Sequence, residues 1–186
     1  MRKLVYAINL TLDGCCDHTK GIGDEGMHDF HKQLLLNADT FLYGRKTYEL
    51  MVPFWPDMAK NNSGETKEMN EFAQAFDAIK SIAVFSRTLK EVKDKKTTVL
   101  NGDLRKEVIK LKQQEGKYIL MGGVDIPSQL IQLDLVDEYY IVIQPLLVGD
   151  GRRLLEGVSI QERLELADSK VFGSGCVALR YIRRPE

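Results

Sequence analysis

Short apolar runs and longer amphipathic stretches alternate along most of this chain, a pattern that predicts strands and helices in turn. Runs rich in aliphatic and aromatic residues predict strands at residues 4–12, 41–43, 81–86, 97–100, 118–121 and 136–144. A first helix is predicted to carry Met27, Phe30, Leu34 and Leu35 on one face and to end near Asn37. Further helices are predicted at residues 45–51, 66–76, 103–114 and 127–133.

The carboxy-terminal part has a different pattern. Residues 163–171 and 176–183 alternate like the strands of an antiparallel hairpin joined through Gly173, Ser174 and Gly175. Strand–helix alternation followed by consecutive strands predicts one three-layer α/β domain over residues 1–186, with a mostly parallel, twisted sheet and an antiparallel carboxy-terminal edge. Residues 52–56 are predicted to form an irregular aromatic loop, because Pro53 and Pro56 exclude regular helix.

Composition narrows the possible partners and location. A net charge of −1 over 186 residues gives no electrostatic reason to expect nucleic acid or a membrane as partner. Residues 80–117 nevertheless hold eleven Lys/Arg against five Asp/Glu, either a solvated face or a rim that attracts a polyanion. Cys15, Cys16 and Cys176 have no metal-type spacing, and the amino terminus lacks the apolar core of a signal peptide. We therefore expect a cytoplasmic protein with reduced thiols.

Two glycine-containing turns predict anion sites. The run ending at Gly44 turns directly into a predicted helix at Arg45, with Thr47 in its first turn. Unpartnered N–H groups, the positive end of the helix dipole and an arginine together suit a phosphate. Residues 118–123 repeat the arrangement with Gly122 and Gly123. Two such turns in one small chain suggest a ligand with more than one phosphate.

Three other strand ends carry candidate chemistry, each with an ordinary alternative. Asp13 ends the first strand, where α/β sheets place ligand groups, although Asp13-Gly14 is also a common turn. Ser86, Arg87 and Thr88 suit a ribose 2′-phosphate or simply a loop. Residues 144–153, QPLLVGDGRR, suit a phosphorylated substrate or simply a hairpin.

Two further patterns carry no predicted site. Residues 21–26 spell GIGDEG, but polar residues separate them from the strand, and Asp24 and Glu25 would face a pyrophosphate. We expect a mobile loop over a site there. His28 and His31 could share a helix face, but without a third ligand at suitable spacing we predict no metal.

Four segments, taken in their order along the chain, resemble the dihydrofolate reductase-like superfamily. The resemblance is strongest to the carboxy-terminal reductase domain of the bifunctional riboflavin-biosynthesis deaminase/reductase, RibD. The four segments are LTLDG at 10–14, YGRKTYE at 43–49, VFSRTL at 84–89 and MGGVDIPSQLIQLDLVDEYYIVIQPLLVGDG at 121–151. No deaminase-type zinc motif is present, so the resemblance is to a stand-alone reductase domain with the three-layer dihydrofolate reductase-like fold.

The resemblance implies a reductase that uses NADPH. It assigns the cofactor's phosphates to Gly44, Arg45, Lys46 and Thr47, its 2′-phosphate side to Ser86, Arg87 and Thr88, and its pyrophosphate to Gly122, Gly123 and Val124. Asp13 would act near the nicotinamide, and the substrate side would include Asn9, Trp55, Gln144 and Gly149. The implied chemistry is hydride transfer to a C=N or C=O of a small pyrimidine or pterin-like molecule, as in 5-amino-6-(5-phosphoribosylamino)uracil reductase, by a homodimer.

Two alternatives stay open. True dihydrofolate reductases bind the pterin through a carboxylate on the first helix; the matching position here is His28, with Asp29 one residue away. A dihydrofolate reductase would therefore act through Asp29 as its catalytic acid. A module that binds NADPH without turnover would keep the pocket and lack the chemistry.

Overall fold

In the computed structural model, which describes residues 1–23, 25–92 and 94–183, eight strands join in one sheet. The strands are β1 (Leu4–Thr11), β2 (Ala38–Gly44), β3 (Ser81–Phe85), β4 (Thr97–Leu100), β5 (Tyr118–Met121), β6 (Glu138–Gln144), β7 (Leu164–Val171) and β8 (Val177–Arg183). The helices are α1 (Glu25–Leu36), α2 (Arg45–Asn61), α3 (Lys67–Asp77), α4 (Leu104–Gln113) and α5 (Asp125–Gln132). A 3-10 turn lies at His18–Lys20.

The sheet has the predicted topology. Its strand order is β4-β3-β2-β5-β1-β6-β8-β7, and the six strands from β4 to β6 are parallel. β8 pairs antiparallel with both β6 and β7, which forms the predicted carboxy-terminal edge. Leu4 and Tyr6 pack in one buried cluster with Val108 of α4 and Leu130 of α5, while Val5 packs on the other face with residues of α1 and α3. The three-layer α/β prediction is thus confirmed.

The central strands differ in length, and this difference opens a crevice. β5 pairs with β1 only over Leu4–Tyr6 and ends at Met121. β1 continues through residues 7–11 beside β6 alone. On the other side of β5, β2 continues past Leu42, the last of its residues that pairs with β5. The space beyond Met121 therefore lies between the carboxyl ends of β1 and β2, where parallel α/β sheets bind ligands. We call this space the central crevice.

The predicted loop at residues 52–56 is wrong, because α2 continues through both prolines to Asn61. Met51, Trp55 and Met58 follow one another at helical spacing; the first two pack into the cluster shared with α3, and Met58 is buried. The Trp55 ring lies edge-on to Phe72 of α3, with 4.6 Å between centroids. A proline inside a helix costs about 3 kcal/mol, and burial of a large aromatic surface can offset that cost.

The first part of β2 also differs from prediction. The strand begins at Ala38 rather than at residue 41, and its register to β5 shifts between Ala38 and Thr40. The irregularity breaks the alternation on which the prediction depends. Asp39, at this shift, accepts a hydrogen bond from the backbone N–H of Lys117 and pairs with Arg2, so its polarity is explained by long-range contacts with the residues that precede β5 and β1.

Candidate cofactor and substrate site

Two helices begin at the central crevice without a side-chain cap. Gly44 precedes α2 and Val124 precedes α5, and neither supplies a capping hydrogen bond. By contrast, Thr66 caps α3 and Asp103 caps α4 through bonds to backbone N–H groups. The first N–H groups of α2 and α5 are therefore left for another acceptor, and with the helix dipole they suit an anion.

The two turns contact each other. A β-carbon on Gly123 would meet the Thr47 hydroxyl, and one on Gly44 would lie 3.1 Å from the Ile126 side chain. Gly123 has φ +87°, a left-handed conformation that favours glycine. The Tyr6 hydroxyl of β1 donates a 2.8 Å hydrogen bond to the Gly123 carbonyl and so connects the turn to the sheet. The sequence predicted two separate anion turns, and the structure joins them.

Cationic side chains surround these turns. Arg45 and Lys46 are exposed at the start of α2, and the Arg45 guanidinium lies 3.9 Å from Glu49. The pKa of Asp125, the first residue of α5, lies below its ordinary value, mainly through a hydrogen bond from Arg152 and to a smaller extent through the charge of Lys46. Arg45 and Lys46 therefore supply positive charge at the joined turns, while Arg152 is paired with Asp125.

The loop after β3 lies next to the Gly44 turn, because Gly44 and Phe85 are partners in the sheet. The Ser86 hydroxyl accepts hydrogen bonds from the backbone N–H groups of Thr88 (3.2 Å) and Leu89 (2.9 Å). Ser86 thus folds the loop, while Arg87 and Thr88 are exposed. An exposed arginine here can contact an additional phosphate of a ligand held at the joined turns.

Asp13 is fully engaged by its surroundings. Its carboxylate accepts hydrogen bonds from the Thr11 hydroxyl (2.6 Å) and from the backbone N–H groups of Gly149 (2.8 Å) and Val148 (3.3 Å). These bonds, that of Thr11 foremost, lower the pKa of Asp13 to about 2. At neutral pH the group is a carboxylate that holds the loop after β6, including the predicted substrate residue Gly149, and it has no proton to donate.

The two arginines of the 144–153 tract are paired with carboxylates. Arg152 pairs with Asp125 at the start of α5, and Arg153 lies 3.7 Å from the Asp13 carboxylate and also donates to its backbone carbonyl. The tract therefore ties the loop after β1 to the start of α5. It lies at the carboxyl ends of the strands, and the charge of each of its two arginines is paired with a carboxylate.

Two predicted substrate residues have structural partners. The buried Gln144 side chain accepts from the Ile22 N–H and donates to the Ile22 carbonyl, each at 3.2 Å. It therefore holds residues 21–23 of the predicted mobile loop; Asp24 of that loop lies outside the described residues. Trp55 belongs to the contact between α2 and α3.

Asn9 and His31 meet across the gap between β1 and α1. Asn9 is exposed although its strand is internal, and its Oδ1 lies 3.0 Å from His31 Nε2. Because a carboxamide oxygen only accepts, Nε2 carries the hydrogen. Desolvation, with a contribution from His28, lowers the pKa of His31 to about 4, although the ring keeps part of its surface accessible. The pair is therefore uncharged at neutral pH.

Sequence reasoning treated His31 only as a possible metal ligand and missed this contact. The available signal was its position three residues before Leu34, on the inward face of an amphipathic helix. Asp29 lies two residues before His31, which places it about 200° around the helix. It forms an ion pair with Lys32 at 2.7 Å, and Lys32 also binds Glu71 of α3. The structure therefore places Asp29 in a surface ion-pair network and not beside Asn9.

The described residues contain no group of three or more His, Cys, Asp or Glu side chains that could hold a metal ion. Among the helices in those same ranges, none combines the length and apolar character needed to cross a bilayer.

The parallel sheet, its antiparallel edge and the anion-receptive crevice define an α/β protein of the dihydrofolate reductase-like class. The profile of the RibD C-terminal domain matches residues 2–178, and the chain belongs to that family. The resemblance drawn from the sequence motifs is therefore confirmed.

Individual relatives agree with this assignment. YyaP of Bacillus subtilis (strain 168), itself uncharacterized, is 33% identical over 189 residues, which cover 97% of this chain and 94% of YyaP. A solved structure from Shewanella sp. PV-4, named for riboflavin biosynthesis, has a TM-score of 0.71 at 19% identity, covering 98% of this chain and 99% of that one. The Thermotoga maritima diaminohydroxyphosphoribosylaminopyrimidine deaminase/5-amino-6-(5-phosphoribosylamino)uracil reductase has a TM-score of 0.69 at 16% identity, covering 98% of this chain and 57% of that one. These two structures share the fold.

Proposed function

We propose that this protein is an NADPH-dependent reductase of a small pyrimidine-like substrate, most like 5-amino-6-(5-phosphoribosylamino)uracil reductase. The observation that carries the proposal is the contact between two uncapped helix starts, at Gly44 and Val124, in the central crevice. A pyrophosphate needs two adjacent groups of N–H donors, and this arrangement supplies them. Membership of the RibD C-terminal domain family supports the same function.

In this proposal, residues 44–47 and 122–124 hold the cofactor's phosphates, and Arg87 contacts the 2′-phosphate. NADPH, when bound, supplies the hydride. The substrate carbon of a C=N or C=O bond would gain the hydride, and its nitrogen or oxygen would gain a proton from solvent. The chain positions the substrate against the hydride donor, which is the main contribution of a protein to such a reaction.

Asp13 acts in the proposal as a positioning residue. Its three hydrogen bonds keep it ionised at neutral pH and fix the loop that carries Gly149 next to the end of β1. Asp29 forms an ion pair with Lys32. A carboxylate engaged in this way, together with the ionised Asp13, is the observation that supports a second candidate function, a module that binds NADPH without turnover.

By family resemblance we further propose that the protein works as a cytoplasmic homodimer on a small molecule. Light scattering coupled to size-exclusion chromatography measures the oligomeric state, and a monomeric mass overturns that part of the proposal.

The test combines calorimetric titration with NADPH and a spectrophotometric assay of its oxidation. Turnover with 5-amino-6-(5-phosphoribosylamino)uracil supports the proposed reductase. Turnover with dihydrofolate alone overturns the substrate assignment. Binding of NADPH without turnover of either compound favours the non-catalytic module, and absence of NADPH binding overturns both.

A further inference from the structure

The exposed position of Asn9 is unusual for its strand. β1 is an internal strand, and its neighbours Ala7 and Leu10 are partly or fully buried. Asn9 lies on the stretch of β1 beyond the end of β5, so its side chain is at the central crevice. A polar side chain at this point can reach a molecule bound there.

The hydrogen bond to His31 determines which group of the Asn9 side-chain amide is left to bond a ligand. His31 Nε2–H donates to Oδ1 at 3.0 Å, and within the described ranges His31 is the hydrogen-bond partner found for the Asn9 side chain. The Nδ2 group, with two hydrogens, is left to donate. Donation from His31 also polarises the amide, which strengthens the bonds that Nδ2 can give.

His31 is held in place by its own contacts. Its ring lies edge-on to Phe30 at 5.5 Å between centroids, and Phe30 in turn contacts Tyr140 of β6 and Phe172. Because Phe30 is packed on the sheet, its ring limits the positions of the adjacent imidazole, which donates to Asn9. The amide orientation at the crevice therefore follows from packing on α1.

We propose that Asn9, oriented by His31, determines substrate specificity by donating a hydrogen bond to a carbonyl oxygen of an uncharged ring. The same donor disfavours a ring that presents amino groups or a protonated amidine, because two donors then face each other. This inference rests on the proposed function only in placing the acceptor substrate in the central crevice. It deepens that proposal by naming the group on the substrate that the protein recognises.

The charged groups around Asn9 and His31 do not keep the His31 ring protonated at neutral pH. Of the titratable groups on α1 and on the elements packed against it, His28 is the one whose charge acts on His31. Most of the other charged groups on α1 and α3 have partners elsewhere in the described ranges: Asp29 and Glu71 pair with Lys32, Lys67 with Glu71, and Asp77 with Lys96. Tyr140 of β6 donates to Glu138. Glu25 and Glu68 are the remaining carboxylates on these two helices, and neither acts on the pKa of His31. No carboxylate accompanies Asn9 and His31 in their hydrogen bond.

The first test needs no substrate. Correlation spectra of the 15N-labelled imidazole rings report which nitrogen of His31 carries the hydrogen. The Nε2–H tautomer, unchanged across neutral pH, is expected. The Nδ1–H tautomer would mean that Nε2 accepts from the Asn9 amide, so that Oδ1 faces the crevice, and it would overturn the inference.

The second test compares two probes of the same shape, 5,6-diaminouracil with carbonyls and 2,4,5,6-tetraaminopyrimidine with amines. We expect the protein to bind the carbonyl probe about tenfold more tightly, and Asn9→Asp to reverse the preference, because a carboxylate only accepts. Gln74→Glu adds the same charge at an exposed site on α3 and should leave the preference unchanged.

Replacement of His31 separates its role from general stability. His31→Leu should reduce the preference to about twofold, because Asn9 loses the bond that orients it, whereas His31→Gln can still donate and should recover part of it. Equal binding of both probes, an unchanged preference in Asn9→Asp, or no binding of either probe overturns the inference. Because the probes are titrated with and without NADPH, failure of cofactor binding is recorded separately and counts against the proposed function alone.

Discussion

The Thr47 hydroxyl occupies the position next to Gly123 where a β-carbon would stand, so the turn after β5 closes directly on the first turn of α2. Contact between these two residues converts two local turns into one group of backbone donors. It also means that the turn after β5 tolerates no side chain at Gly123, which has φ +87° as well.

Gly123→Ala should weaken NADPH binding about tenfold. The added methyl group would displace the backbone N–H donors of the turn, and a loss of about 1.4 kcal/mol of binding free energy raises the dissociation constant tenfold. Calorimetric titration measures it. Gly173→Ala is the matched control, because no atom lies within 4 Å of its β-carbon position and its φ is not left-handed. Adding Thr47→Ala to Gly123→Ala should recover part of the affinity. Unchanged affinity in Gly123→Ala would show that the joined turns do not hold the cofactor.

Arg87→Ala should weaken NADPH about tenfold and leave NADH nearly unaffected, because a hydrogen bond to a charged group contributes about 1.5 kcal/mol and only NADPH carries the extra phosphate. Dissociation constants for both cofactors measure the difference. Lys90→Ala, at an exposed position on the same loop, is the control for general loss of positive charge. An equal loss for both cofactors would mean that Arg87 does not contact the 2′-phosphate.

Asp13→Asn should lower the thermal midpoint at neutral pH, and the difference from the native protein should shrink in acid. The pKa of Asp13 is lowered to about 2 in the folded state, against an ordinary value near 3.9. Its carboxylate therefore stabilises the fold above pH ~4, and that contribution is lost as the pH falls towards 2. Thermal melts between pH 7 and pH 2.5 measure this, with exposed Glu91→Gln as control. A constant difference across that range contradicts the role of Asp13 as an ionised positioning residue.

Trp55→Ala should reduce stability by about 3 kcal/mol or more without changing NADPH affinity, because the ring packs between α2 and α3. Urea unfolding and titration well below the melting temperature measure the two effects separately. Phe54→Ala, next to Trp55 but half exposed, should cost much less. A changed substrate KM with unchanged stability would contradict this structural role and support the predicted place of Trp55 in the substrate site.

Local patterns in the sequence were sufficient for most of the fold. The periods of apolar residues identified the eight strands, and glycine at the ends of two of them identified the turns at residues 44 and 122–123. These features depend on neighbours in the chain, through strand propensity, left-handed φ and the unpaired N–H groups of a helix start. The proline signal within α2 was misleading because its cost is local while the packing of Trp55 on α3 is not.

Long-range contacts produced the details of the site. Asp13 meets Gly149, and Asn9 meets His31, because strands of unequal length bring their carboxyl ends and covering helix together. Whether an aspartate is a proton donor or a fixed carboxylate depends on the groups that fold against it, and its own neighbours in the chain do not reveal them. Residue types at strand ends therefore predicted where a ligand would bind, while three-dimensional pairing set the charge and hydrogen-bonding direction of the side chains there.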